Sequence, residues 1–139
     1  MNTRLMLSSV WIWGILTAVF GCGSRNPATV PVTGTVTFNG TPVEGANVSF
    51  FGQQGRPAAG VSDGQGRFRL MTFAPGDGAL PGEYEVVVTK TEAPSEDPNR
   101  PYPPVRSLLP ERYGNRASSG LRASVRPDEK NDFTFELTK

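Results

Sequence analysis

Alternation with a period of two is the feature that most restricts how this chain can fold. In "VTGTVTF", residues 32–38, Val32, Gly34, Val36 and Phe38 fall on one side and Thr33, Thr35 and Thr37 on the other. The same rhythm puts Ala46, Val48 and Phe50 together, then Phe68 with Leu70 against Arg67 and Arg69. It continues with Tyr84, Val86 and Val88 against Glu83 and Glu85, and ends with Leu121, Ala123, Val125 and Phe133, Phe135, Leu137. Short runs of this period are half-buried strands. No segment after residue 21 carries a helical period.

Turn chemistry separates the runs. Asn39-Gly40 tolerates positive φ at both positions and predicts a tight hairpin. "SDGQGRF" offers a second hairpin through Gly64 and Gly66, and "PDEKN", residues 127–131, joins the last two strands. Strands this short with regular turns predict an all-β fold: a two-sheet antiparallel β-sandwich of about seven strands. Phe68 and Tyr84 should point inward from neighbouring strands, near Val36, Val48 and Phe135. Arg67 and Arg69 should pair across strands with Glu83 and Glu85, each pair contributing a fraction of a kcal/mol.

The first residues are of another kind. Arg4 precedes sixteen uncharged residues, 5–20, which is short of the roughly 20 apolar residues a membrane span needs. This is the layout of a secretory signal peptide, with an uncleaved anchor as the alternative. The only cysteine, Cys22, follows directly. Val19, Gly21 and Cys22 resemble the bacterial lipobox, with Phe20 departing from its usual small residue. The resemblance implies cleavage after Gly21 and a diacylglyceryl group on the Cys22 thiol, followed by acylation of the new amino terminus. A thiolate is the side-chain nucleophile best suited to alkylation, and two or more acyl chains anchor stably where one does not. A free thiol or an intermolecular disulfide is the other role open to a lone exported cysteine. The chain then divides into a signal peptide (1–21), a lipidated N-terminus and linker (22–31), and a sandwich domain (32–139). Its place is the bacterial cell envelope, on the periplasmic or surface side, with the membrane as a partner through the lipid.

Cleavage would leave 118 residues with no net charge, since Arg4 is the only charged group removed. A neutral domain has no electrostatic reason to bind nucleic acid. Both tryptophans, Trp11 and Trp13, would leave with the signal, and no disulfide could brace the fold.

"VTGTVTFNGTPVEGANVSF" resembles the opening of the carboxypeptidase regulatory-like domain, a transthyretin-like (prealbumin-type) sandwich. "VSDGQGRFRL" is similar to the family's next hairpin and "LPGEYEVVVTK" to its Pro-Gly-x-Tyr lead into a strand. The resemblance covers residues 32–90, and the last third is similar to the tail of short bacterial lipoproteins carrying this domain. It implies a transthyretin-like or Ig-like sandwich. In metallocarboxypeptidases the module accompanies a zinc catalytic domain, for which this chain has no room. Related modules that form Lys–Asn crosslinks carry an early lysine, whereas here Lys90, Lys130 and Lys139 are the only ones after the signal.

A fold does not name an activity, so chemistry must be argued from residues. Histidine is absent, which removes Ser/His/Asp and Cys/His nucleophile sets and the usual zinc ligand sets. Glu83 and Glu85 share one strand face, a solvated pair rather than a cleft pair of a glycosidase. Asp63 and Asp77 lie in Gly-rich turns, one carboxylate per loop, short of a calcium shell. The expectation is a non-catalytic protein with no cofactor beyond the lipid on Cys22.

Residues 91–120 stand apart, with six prolines and no alternation. Loops this long are usually functional or disordered. For 107–120 the expectation is a crossover in which Leu108, Leu109 and Tyr113 cover an edge or open face. For 91–106 mobility, partner contact and packing all stay open. Tyr102 and Arg106 are the candidate partner contacts, being residue types enriched at binding hot spots on a stiff proline-rich backbone. The implied function is a binding module for an unidentified envelope protein or polysaccharide. A structural lipoprotein acting by self-association is the alternative.

Overall fold

A computed structural model describes residues 25–93, 99 and 104–139 of the 139-residue chain. The six alternating runs all become strands, in an order of eight: β1 (Val32–Phe38), β2 (Thr41–Pro42), β3 (Asn47–Gly52), β4 (Ala58–Val61), β5 (Arg67–Arg69), β6 (Gly82–Thr89), β7 (Leu121–Val125) and β8 (Asn131–Leu137). They form two four-stranded sheets packed face to face. In one, β1 is flanked by β5 and β2 on one side and by β8 on the other; the second runs β4-β3-β6-β7. This is the all-β sandwich that the alternation predicts, with eight strands where about seven were expected; β2 and β4 are the two that no alternating run marked.

One pairing is parallel. β8 runs beside β1 in the same direction from Val32↔Asn131 to Phe38↔Leu137. The cause is the connection after β7, which turns a corner into the other sheet instead of closing a hairpin. Buried Asn131 holds that corner: its amide accepts from Arg126 N–H (2.9 Å) and donates to the carbonyls of Arg126 (2.8 Å) and Glu129 (3.2 Å). The "SDGQGRF" turn is also a corner, since β4 and β5 lie in different sheets. There Asp63 accepts from the N–H groups of Gln65 and Arg67, while Gly66, but not Gly64, takes positive φ. Asn39-Gly40 does close a hairpin, with φ of 49° and 83°.

Phe50 fills the centre, fully buried. Its ring meets Phe133, Phe135 and Phe68 edge-on at 5.8, 6.0 and 6.4 Å, and lies tilted on Tyr84 at 5.7 Å. Such contacts between rings add to the area they bury. Phe68 and Tyr84 therefore point inward from opposite sheets, not from neighbouring strands. Gly34, opposite Phe68 in β1, is where the ring crosses the sheet. A Cβ there would collide with Phe68 Cζ and the Phe133 carbonyl. The sandwich has two ends. One gathers Val30, Gly52, Leu70, Ala79, Gly82 and Asn131; the other gathers Phe38, Thr41, Thr89 and Leu137.

Candidate functional site

Three surfaces outside the core carry the candidate residues, the first at the end that holds Thr89. After β6 the chain leaves the sheet and returns, and its two arms are zipped where they part. Glu92 N–H donates to Arg106 O (2.9 Å), Leu108 N–H donates to Lys90 O (2.8 Å), and Thr91 faces Ser107. The proline-rich stretch is thus an excursion from an antiparallel neck. Arg106 stands on that neck, exposed; Tyr102 and residues 94–98, 100, 101 and 103 lie outside the described residues. Val105 is 81 % exposed and Leu108 is 47 % exposed, so Leu108 does not cover the sandwich as expected. It borders a groove of about 280 Å³ with Phe38, Pro42, Lys90 and Leu109.

The second surface is the outer side of β6. The chain reaches it after burying Leu109 and Tyr113 in the core cluster, Tyr113 on a 3-10 turn, Glu111–Gly114. The Tyr113 hydroxyl accepts from Thr138 N–H (3.0 Å) and Arg112 Nη2 (2.8 Å) and donates to Thr138 O (3.2 Å). Burial pushes this phenol up, but the bonds to Thr138 and the Arg112 guanidinium outweigh it and hold the pKa below its ordinary 10.0. Further on, Arg116 Nε donates to Glu85 at 2.9 Å and its guanidinium lies 5.0 Å from the Phe51 ring centre. The cover is effective. Val87 points away from the core by alternation and is still only 9 % exposed. These partners replace the expected ones: Arg67 pairs with Asp132 (3.7 Å), Glu83 accepts from Ser124 (2.6 Å), and β5 and β6 belong to different sheets.

The third surface is the outer side of β3 and β4, which nothing among the described residues covers. A groove of about 370 Å³ runs there between Asn47, Ser49, Val61, Arg69 and Met71. Val61 is 60 % exposed and Met71 52 %. Met71 belongs to no named strand, yet it extends the sheet: its N–H and carbonyl both bond Ala59 (2.9 and 3.0 Å). The loop after it is built on Asp77, whose carboxylate accepts from Thr72 (2.7 Å), Phe73 (3.0 Å) and Ala74 (3.0 Å) N–H groups. The bond from Thr72 leads in holding the Asp77 pKa below its ordinary 3.8, against a partial desolvation. The turn role expected of Asp63 and Asp77 is what the geometry gives. This surface was not marked by the sequence; the one signal was Met71, an apolar residue breaking the polar side of the "RFRLMTF" run.

Cys22 and the apolar run before it lie outside the described residues, which begin at Arg25. The chain joins the fold at Val30, which exchanges two hydrogen bonds with Ala79 (2.9 and 3.0 Å), at the end of the sandwich opposite the neck. Among the described residues no helix is long and apolar enough to cross a membrane. The chain matches no family model, no curated protein and no solved structure.

Proposed function

We propose that the protein is a non-catalytic, lipid-anchored module of the bacterial cell envelope, tethered through Cys22, that presents a binding surface at the neck of the 92–106 excursion. The observation that carries this reading is the separation of the two ends. The N-terminal arm joins at Val30 beside Ala79, whereas the Thr91–Ser107 neck stands past the last residue of β6, at the other end. A tether at one end leaves the other accessible. Arg106, Val105 and Leu108 add an exposed cation and two exposed apolar side chains around a groove. Of these, the arginine belongs to a residue type enriched where a few residues carry most of the binding energy.

The resemblance to the carboxypeptidase regulatory-like domain belongs to the same proposal. It is supported by the first and third motifs, which form the Asn39-Gly40 hairpin and the lead into β6, whereas "VSDGQGRFRL" turns a corner between sheets and not the expected hairpin. In "LPGEY" the Tyr84 hydroxyl donates to the Leu80 carbonyl (2.7 Å), pinning the lead into β6 as a tyrosine corner does in other sandwiches.

The test replaces residues 94–104 by a Gly/Ser stretch of equal length and measures both folding and capture of envelope components. Folding should persist and capture should fall; unchanged capture would leave the excursion a mere connector. Self-association is the second reading. It draws on the outer edges of β7 and β8, each paired on one side only among the described residues, since open edges template further strands. The oligomeric state of the protein separates the two.

A further inference from the structure

The uncovered surface over β3 and β4 runs from the Asn47–Val61 rung, at the Thr89 end, to Met71 and its loop, close to the point where the N-terminal arm meets the fold. Met71 begins the loop that ends at Gly78 and Ala79, and Ala79 is the residue that pairs with Val30. Gly78 N–H also donates to Leu70 O (3.0 Å), so the groove wall and the docking point of the arm form one bonded unit. From Cys22 to Val30 is eight residues, which reach at most about 29 Å when fully extended. A lipid on Cys22 would therefore hold this flank within a short distance of the bilayer surface.

The flank has the chemistry of an interfacial contact. Val61 and Met71 project apolar groups into solvent, and Ala59 and Pro75 beside them are exposed. The Arg69 side chain runs along the groove past Gly76 and makes no hydrogen bond or ion pair among the described residues. Apolar side chains flanked by a cation partition to the boundary between headgroups and acyl chains, and a cation gains further from anionic headgroups. Asp77, the acidic group of the same loop, has its carboxylate turned to three backbone N–H groups. Four apolar side chains are far fewer than the 20–30 residues a side of a stable protein interface. A tether changes that requirement, because it raises the effective concentration of the flank at the lipid surface.

We propose that Val61, Ala59, Met71, Pro75 and Arg69 form a seat on an anionic lipid surface, so that the sandwich lies on its β4 flank against the membrane that carries it. The seat rests on the reading of Cys22 as a lipid anchor, and it goes further by fixing an orientation. The neck of the 92–106 excursion then projects sideways along the membrane, reaching for neighbours on the same surface.

The experiment uses the full chain, expressed with its N-terminal residues, purified in detergent and reconstituted into vesicles carrying brominated acyl chains. Intact mass comes first: a chain beginning at lipidated Cys22 has lost Trp11 and Trp13 and is free of tryptophan. Met71→Trp then reports on the flank, Val61→Trp repeats it with a different substitution, and Thr134→Trp reports from the exposed side of β8 in the other sheet. In phosphatidylethanolamine–phosphatidylglycerol vesicles, the tryptophans at 71 and 61 should be blue-shifted and quenched several-fold more than the one at 134. Adding Arg69→Gln, or replacing the lipids by phosphatidylcholine alone, should reduce that quenching. Equal quenching at all three positions in a lipidated protein overturns the seat and leaves the anchor standing. An unlipidated chain that fails to float with vesicles overturns both.

Discussion

The outer face of the β4-β3-β6-β7 sheet has two halves with opposite fates. Over β6 the chain folds back on itself, sealing Val87 beneath Arg116 and its neighbours after burying Leu109 and Tyr113 in the core. Over β3 and β4 it leaves Val61 and Met71 in solvent around an open groove. Both halves belong to one sheet and both carry apolar side chains, so strand pattern does not distinguish them. What differs is the chain that passes above. The 107–120 segment supplies its own anchors, with Tyr113 tied to Thr138 and Arg116 to Glu85. The 71–78 loop spends its polar groups on itself, through Asp77, and is drawn toward Val30 instead of across the sheet. A covered half is part of the stability of the fold; an uncovered one is available for contact.

If the cover over β6 is structural, Tyr113→Ala should destabilise the protein by about 3 kcal/mol, the low end for losing a buried aromatic ring. Tyr113→Phe keeps the ring and loses the bonds to Thr138 and Arg112, and should cost about 1 kcal/mol. Chemical denaturation midpoints at constant slope give both values. A negligible cost for the alanine variant would mean that the 107–120 segment merely rests on the sheet, and the two halves would then differ only in degree.

Sequence made much of this molecule legible and left the decisive part out. The strands, the inward faces and the Asn39-Gly40 hairpin follow from alternation and turn residues, which act over a few positions. Partner choice does not. Glu83 and Glu85 were expected opposite Arg67 and Arg69, but "SDGQGRF" and "PDEKN" are corners between sheets, and nothing in a five- to seven-residue turn states whether the next strand pairs or crosses. The parallel β1–β8 ladder, joining residues about a hundred positions apart, has no local signature. Tyr113 and Leu109 were rightly expected to pack, while Leu108, with the same side chain as its neighbour, faces out. The uncovered groove was missed because a bare surface is defined by what does not pass over it.

Acid should probe the loop beside the bare half. The Asp77 carboxylate has a lower pKa in the folded protein than its ordinary 3.8, because the folded loop offers it N–H groups from Thr72, Phe73 and Ala74. Below that ordinary value the unfolded chain binds the additional proton first, so protonation favours unfolding. The contribution of Asp77 is therefore complete above pH 3.8 and is lost as pH falls through the lower folded value. Asp77→Asn removes the titration. The stability gap between the natural chain and this variant should be constant at neutral pH and narrow as pH drops below the ordinary value. A gap that stays unchanged into strong acid would show that the loop is held by something other than this carboxylate.

The smallest expected effect is the most specific to the comparison. Val61 and Met71 are more than half exposed, and each points away from the aromatic cluster around Phe50. Val61 belongs to a strand, so the β-branched Val61→Thr keeps its local preference while removing apolar character. Met71→Ser leaves intact the two backbone bonds to Ala59 that extend the sheet. Each change should alter stability by no more than about 0.5 kcal/mol, the range of surface substitutions away from special features. The two sites lie on one groove and can couple, so the double variant must be measured as well as the singles. A double variant as stable as the natural chain keeps the bare half free of any structural duty, and its apolar side chains then need a reason outside the fold. A loss of more than about 1.5 kcal/mol would instead place Val61 and Met71 among the residues that hold β4 to the 71–78 loop, and the bare half would become an imperfectly covered part of the core.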